Sequence, residues 1–166
     1  MNYLITFRTY GTWLHGDERG SVDREHNHLG EPLLEEDAAL RNYRQRALKS
    51  EPVHLDESCR SCVGATLREV AAHRKWSIVA LHVLCNHVHV VVSTPDDVAP
   101  EKVMNDFKSW ATRRLREQNL MPPDASIWSH HGSTRYLNSI QAVEAACDYV
   151  LNQQITNPER ERRAET

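Results

Sequence analysis

The residues of this 166-residue chain that could carry chemistry fall in two short stretches. In Asn86-His87-Val88-His89-Val90-Val91-Val92, an extended backbone sends alternate side chains to opposite faces, so His87 and His89 share one face while Val88, Val90 and Val92 share the other. The valines belong to a core. The two imidazoles, with Cα atoms about 6.5–7 Å apart, can lean together onto one cation and form a half-site for a divalent metal. In Tyr149-Val150-Leu151-Asn152-Gln153, a phenol and a carboxamide stand at i and i+4, on one face of a helix. A nucleophilic hydroxyl and a third oxygen donor would then arrive together.

A strand carrying histidine-hydrophobe-histidine, followed downstream by a tyrosine-bearing helix, resembles the single-tyrosine HUH transposases of insertion-sequence type, which include the bacterial REP-associated tyrosine transposases. The matching residues are His87-Val88-His89, Tyr149 and Gln153. Supporting matches are Thr6-Phe7-Arg8-Thr9 near the start, Asn86 directly before the first histidine, and Phe107-Lys108-Ser109. The resemblance covers residues 3–9 and 76–154. REP-associated relatives often carry Asn then Pro four residues after the tyrosine, whereas this chain has Gln153-Gln154, closer to the insertion-sequence branch.

The resemblance implies a metal-dependent endonuclease and strand transferase of single-stranded DNA. Tyr149 would be its nucleophile, and a divalent ion, Mg²⁺ or Mn²⁺, would be held by His87, His89 and Gln153. Such an ion polarises the scissile phosphate and orients it for in-line attack. A phenol is mostly protonated at neutral pH, so the attacking hydroxyl must lose its proton to water as it reacts. The implied product is a 5′-phosphotyrosine with a free 3′-hydroxyl, formed without ATP. The absence of a GxxxxGK[ST] phosphate loop from the sequence agrees with that. The resemblance further implies a hairpin-bearing DNA strand as partner and a homodimer as the working unit.

These residues need a scaffold, and the rest of the sequence predicts one. Residues 3–9 alternate aromatic and β-branched side chains and read as a first strand. From Gly11 to about Val53 the periodicity fades into an insertion, with a short helix expected around 35–47. Asp56-Glu57-Ser58 starts a helix running to about Arg74, with Val63, Leu67, Val70 and Ala71 at helical spacing. Two β-rich runs, Trp76 to Leu84 and His87 to Val92, are separated by Cys85-Asn86, which predicts an antiparallel hairpin. With that two-residue turn, position 82 pairs with 89, so His82 becomes a candidate ligand or supporting partner. Glu101 to Gln118 places Val103, Met104, Phe107, Trp110, Ala111 and Leu115 on one stripe. A fourth strand is expected at Ser133 to Leu137 and a last helix from Ser139 to about Gln154. The β-α-β-β-α-β order predicts an α+β fold of ferredoxin or RRM type, a four-stranded antiparallel sheet with two helices on one face. The final helix is free to cover the other.

Composition bounds the reading. At 40% hydrophobic content, 166 residues suit one domain spanning 1–166, with a tail fraying after about 157. No long apolar run or signal pattern is present, so a cytoplasmic protein without membrane contact is expected. The net charge of −3 gives no basic footprint, but Lys108, Arg113, Arg114 and Arg116 cluster as candidate DNA-phosphate contacts. Cys59-Arg60-Ser61-Cys62 is a lone CxxC, read as thiols on a helix because no second pair completes a zinc site. Tyr136 reads as a sheet aromatic and His130-His131 as loop residues. Val91 occupies the place where a histidine-triad hydrolase would carry its third histidine. RNA-binding domains share the strand order, which leaves a domesticated, non-cleaving binder of single-stranded DNA or RNA hairpins as the alternative.

Overall fold

The structure is a computed structural model that describes residues 1–12, 38–46 and 48–156. The elements run β1 (Asn2–Thr9), α1 (Ala38–Arg46), α2 (Glu57–Arg74), β2 (Ser77–Val83), β3 (His87–Ser93), α3 (Pro100–Glu117), β4 (Trp128–Tyr136) and α4 (Ile140–Thr156). The strands form one antiparallel sheet in the order β2-β3-β1-β4. This is the expected α+β architecture. The short helix expected within the insertion is α1; most of the insertion, and the tail after 157, lie outside the described residues. No helix among the described residues is long and apolar enough to cross a membrane.

Local signals explain most boundaries. Asp56 caps α2 by accepting a hydrogen bond from the Cys59 N–H at 2.7 Å. That backbone donor lowers the carboxyl pKa, as expected where a capping carboxylate is hydrogen-bonded in its charged form. Lys75, in the left-handed region at φ 59°, closes the other end. Asn119, with φ 56°, ends α3, and Leu120 N–H returns to Leu115 O at 2.9 Å. Both ends thus use the left-handed residue that commonly terminates a helix. The chain has left α3 before Pro122 and Pro123.

The sheet has two apolar faces. On the inner face, Ile5, Phe7, Val88, Val90 and Val92 pack with Val63, Leu67 and Val70 of α2 and Val103, Phe107, Ala111 and Leu115 of α3. On the outer face, Ala80, Val91 and Leu137 pack with Ala146 and Val150 of α4. Val91 thus belongs to a second cluster, on the same face as the histidines.

Strand β4 is longer than expected, beginning at Trp128 rather than Ser133. Its register against β1 breaks: Phe7 pairs with Gly132 but Thr9 pairs with Trp128, so Ser129, His130 and His131 bulge opposite Arg8. The bulge turns three carbonyls toward one buried ammonium. Lys108 Nζ donates to the oxygens of Ser129, His130 and His131 at 3.0, 3.3 and 3.3 Å. Three acceptors match the three donors of a lysine. Next to it, a Cβ on Gly132 would meet Met104 Sδ, and the carbonyl oxygen of Thr6 at 2.6 Å. Only glycine fits there.

Gly132→Ala should therefore cost about 1–3 kcal/mol of stability through overpacking; denaturant curves superimposable on those of the parent would contradict this packing. Burial lowers the Lys108 pKa to about 8. The unfolded chain then binds more protons between pH 8 and 10.5, so this group's contribution to stability rises as pH climbs through that window. Side-chain NMR should find one lysine titrating near pH 8, and a set titrating entirely near 10.5 would contradict that environment.

Candidate active site

β3 is a central strand, paired with β1 on one side and β2 on the other, which fixes its side chains from both edges. The hairpin closes through Leu84 N–H to His87 O at 2.8 Å around Cys85-Asn86, the two-residue turn expected. Cross-strand register places Thr6, His89 and His82 in one row on the outer face, with Arg8 beside His87 in the next. The two histidine rings lie 4.6 Å apart between centroids at 84° to one another. His89 is 5% exposed and His87 half-buried.

Each ring uses its Nδ1 inside the protein. His89 Nδ1 lies 2.7 Å from Thr6 Oγ1, and His87 Nδ1 lies 2.5 Å from the Asn86 carboxamide oxygen. The nitrogen across each ring from that contact is Nε2. Among the described residues no three His, Cys, Asp or Glu side chains gather for a metal. A site here therefore needs a donor of another type, and a carboxamide oxygen is a suitable one. Gln153 stands on α4 one turn beyond Tyr149; its side chain lies outside the described residues. By chemical type, imidazole nitrogen and amide oxygen are both donors that a divalent ion accepts.

α4 supplies the fourth group. Val150 and Ala146 anchor it on Ala80 and Val91, and the neighbouring Tyr149 ring stands edge-on to His89, with 5.4 Å between centroids and 76° between planes. Tyr149 is 49% exposed, so its ring meets both the imidazole and solvent. Tyr136 pairs with Tyr3 on the inner side, in a T-shaped contact at 5.0 Å, and so faces away from the histidine row.

The basic residues of α3 stand in the other layer, across the sheet from His89. Arg113 lies over the Trp110 ring at 5.5 Å, Arg114 pairs with Glu69 at 2.7 Å, and Arg116 donates to Ala125 O at 3.1 Å. Lys108 differs from the surface contact expected of it, because its ammonium is buried and directed to the β4 bulge. Cys59 and Cys62 are buried free thiols on α2, and burial pushes Cys59 up to about 11. Sequence reasoning misses the contacts that Thr6 and Asn86 make with the imidazoles. Asn86 has its position before His87 as a signal, whereas the contact of Thr6 depends on the β1–β3 register.

Residues 40–153 match the model of the IS200-like transposase family. No curated protein matches the sequence at a significant level. Among solved structures, the chain is similar to a REP-associated tyrosine transposase bound to a REP hairpin, at 12% identity and a TM-score of 0.57, covering 95% of this chain and 68% of that one. It is also similar to a candidate transposase from Deinococcus radiodurans R1, at 17% identity and a TM-score of 0.50, covering 92% of this chain and 90% of that one. At these identities the two structures speak for the fold. The family match spans most of the chain and takes in the histidine pair, the tyrosine helix and the elements between them. This chain belongs to the IS200-like transposases, a family of DNA-processing enzymes.

Proposed function

We propose that the protein is a metal-dependent single-stranded DNA endonuclease and strand transferase that works through a 5′-phosphotyrosine on Tyr149. The observation that carries this reading is the Tyr149 ring standing 5.4 Å from that of His89, itself 4.6 Å from His87, on one sheet face. His87, His89 and Gln153 are the residues that would hold a divalent ion, Mg²⁺ or Mn²⁺. When bound, that ion supplies positive charge for the non-bridging phosphate oxygens.

The chain's own groups do the rest. Tyr149 Oη attacks phosphorus, a new P–O bond forms to the phenol, and the bond to the 3′-oxygen of the preceding nucleotide breaks. The phenolic proton passes to water, and the departing oxygen takes one up to become a 3′-hydroxyl. One phosphodiester replaces another, so a second strand's 3′-hydroxyl can reverse the step without ATP. Half-exposure of Tyr149 gives a DNA strand access, while burial of His89 limits competing water at the imidazoles.

A hairpin-bearing single strand is the proposed substrate, supported by the REP hairpin bound in the structurally similar transposase. Arg113, Arg114 and Arg116 are the proposed phosphate contacts of α3. Lys108 is left out of that set because its donors meet backbone carbonyls. A cytoplasmic homodimer is the proposed working form.

Purified protein with Mn²⁺ and hairpin-bearing single-stranded DNA should form a denaturant-resistant adduct that Tyr149→Phe abolishes. His87→Ala should reduce cleavage by a factor of roughly 100 or more, the range seen when an electrostatic stabiliser is removed. An undiminished adduct in Tyr149→Phe would contradict the assignment. Tight single-strand binding without cutting by the parent would favour a binding module.

A further inference from the structure

We infer that Thr6 and Asn86 are positioning residues that hold His89 and His87 with the proton on Nδ1, so that Nε2 of each imidazole faces the metal. The inference rests on the proposed metal role of the two histidines and gives a role to two residues beside them, Asn86 within the family match over residues 40–153 and Thr6 outside it.

A histidine can coordinate only through a nitrogen whose lone pair is available, and that nitrogen is determined by what the other one does. The Asn86 carboxamide oxygen has no proton to give. Its contact with His87 Nδ1 therefore requires the hydrogen on Nδ1 and places the lone pair on Nε2. The carboxamide is itself anchored through its backbone: the Asn86 carbonyl oxygen accepts from Thr9 N–H at 2.9 Å and from Thr9 Oγ1 at 3.1 Å. The turn is thus tied to β1, and the side chain starts from a fixed point.

Thr6 reaches His89 by a different route. It is the direct cross-strand partner of His89, on the same face, where facing side chains come close enough to interact. Its hydroxyl comes within 2.7 Å of Nδ1. His89 is 5% exposed, so this hydroxyl stands where water would otherwise serve the ring nitrogen. A hydroxyl can accept from Nδ1–H, which matches the polarity that Asn86 imposes on His87. The two imidazoles, with centroids 4.6 Å apart and rings nearly perpendicular, would then offer the same type of atom, Nε2, as a donor.

The test reads the tautomers directly in the metal-free, full-length protein. Long-range nitrogen–proton NMR of histidine-labelled protein, at a pH where the imidazoles are neutral, should show protonated Nδ1 and bare Nε2 at both positions. Thr6→Val, which keeps shape but loses the acceptor, should move His89 toward the other tautomer and weaken Mn²⁺ binding by about 10–100-fold. Asn86→Ala should do the same through His87. Thr6→Ser should restore both the NMR signature and the affinity, which loss of packing alone would not predict. Protonated Nε2 in the parent, or Thr6→Val with unchanged tautomer and unchanged Mn²⁺ affinity, would overturn the inference. The expected tautomers in a parent that fails to bind Mn²⁺ would instead overturn the metal reading while upholding the hydrogen-bond assignment.

Discussion

Strand β3 is buried on both faces, and the rest of the molecule is arranged around that constraint. Val88, Val90 and Val92 are fully buried against α2 and α3. On the opposite face, Val91 is fully buried and His89 is 5% exposed, which requires a cover there too. α4 provides it. Burying a valine is worth about 1.5–3 kcal/mol, so Val91 and Val150 together give the helix a real but local anchor on the sheet. Because Tyr149 directly precedes Val150 in sequence, docking the helix and delivering the phenol to His89 are one event.

A strand with two buried faces can carry a polar residue only if its polar atoms are satisfied. Thr6 does this for His89, and the hairpin turn does it for His87 through Asn86. The same logic operates at the neighbouring edge of the sheet. There the β4 bulge leaves three carbonyls turned inward, and the buried Lys108 ammonium answers all three. Function and fold are thus joined through β1, whose Thr6 touches the site and whose Phe7 packs beneath it against Trp128.

Patterns confined to a few neighbouring residues were legible in the sequence. Alternation in His87 to Val92, the cap at Asp56 and the break at Cys85-Asn86 each specify local structure, and the hairpin register then places His82 opposite His89. Contacts between distant segments were harder to read. The start of β4 carries Ser-His-His-Gly without alternation, and there the strand pairs with β1 through a bulge whose carbonyls are met by Lys108 on α3. Thr6 stands out in the sequence only as part of the Thr6-Phe7-Arg8-Thr9 match, and its contact with His89 follows from the pairing of β1 with β3. The family resemblance drawn from His87, His89 and Tyr149 agrees with the independent family match, whose span includes all three.

The most direct test of this account is a crystal structure of the protein with Mn²⁺, with the ion located by its anomalous scattering. The account predicts a single strong peak between Nε2 of His87 and Nε2 of His89, with α4 docked on Val91 and the Tyr149 side chain over the ion. Manganese bound away from the histidine pair, or α4 seated so that Tyr149 no longer meets His89, would contradict it.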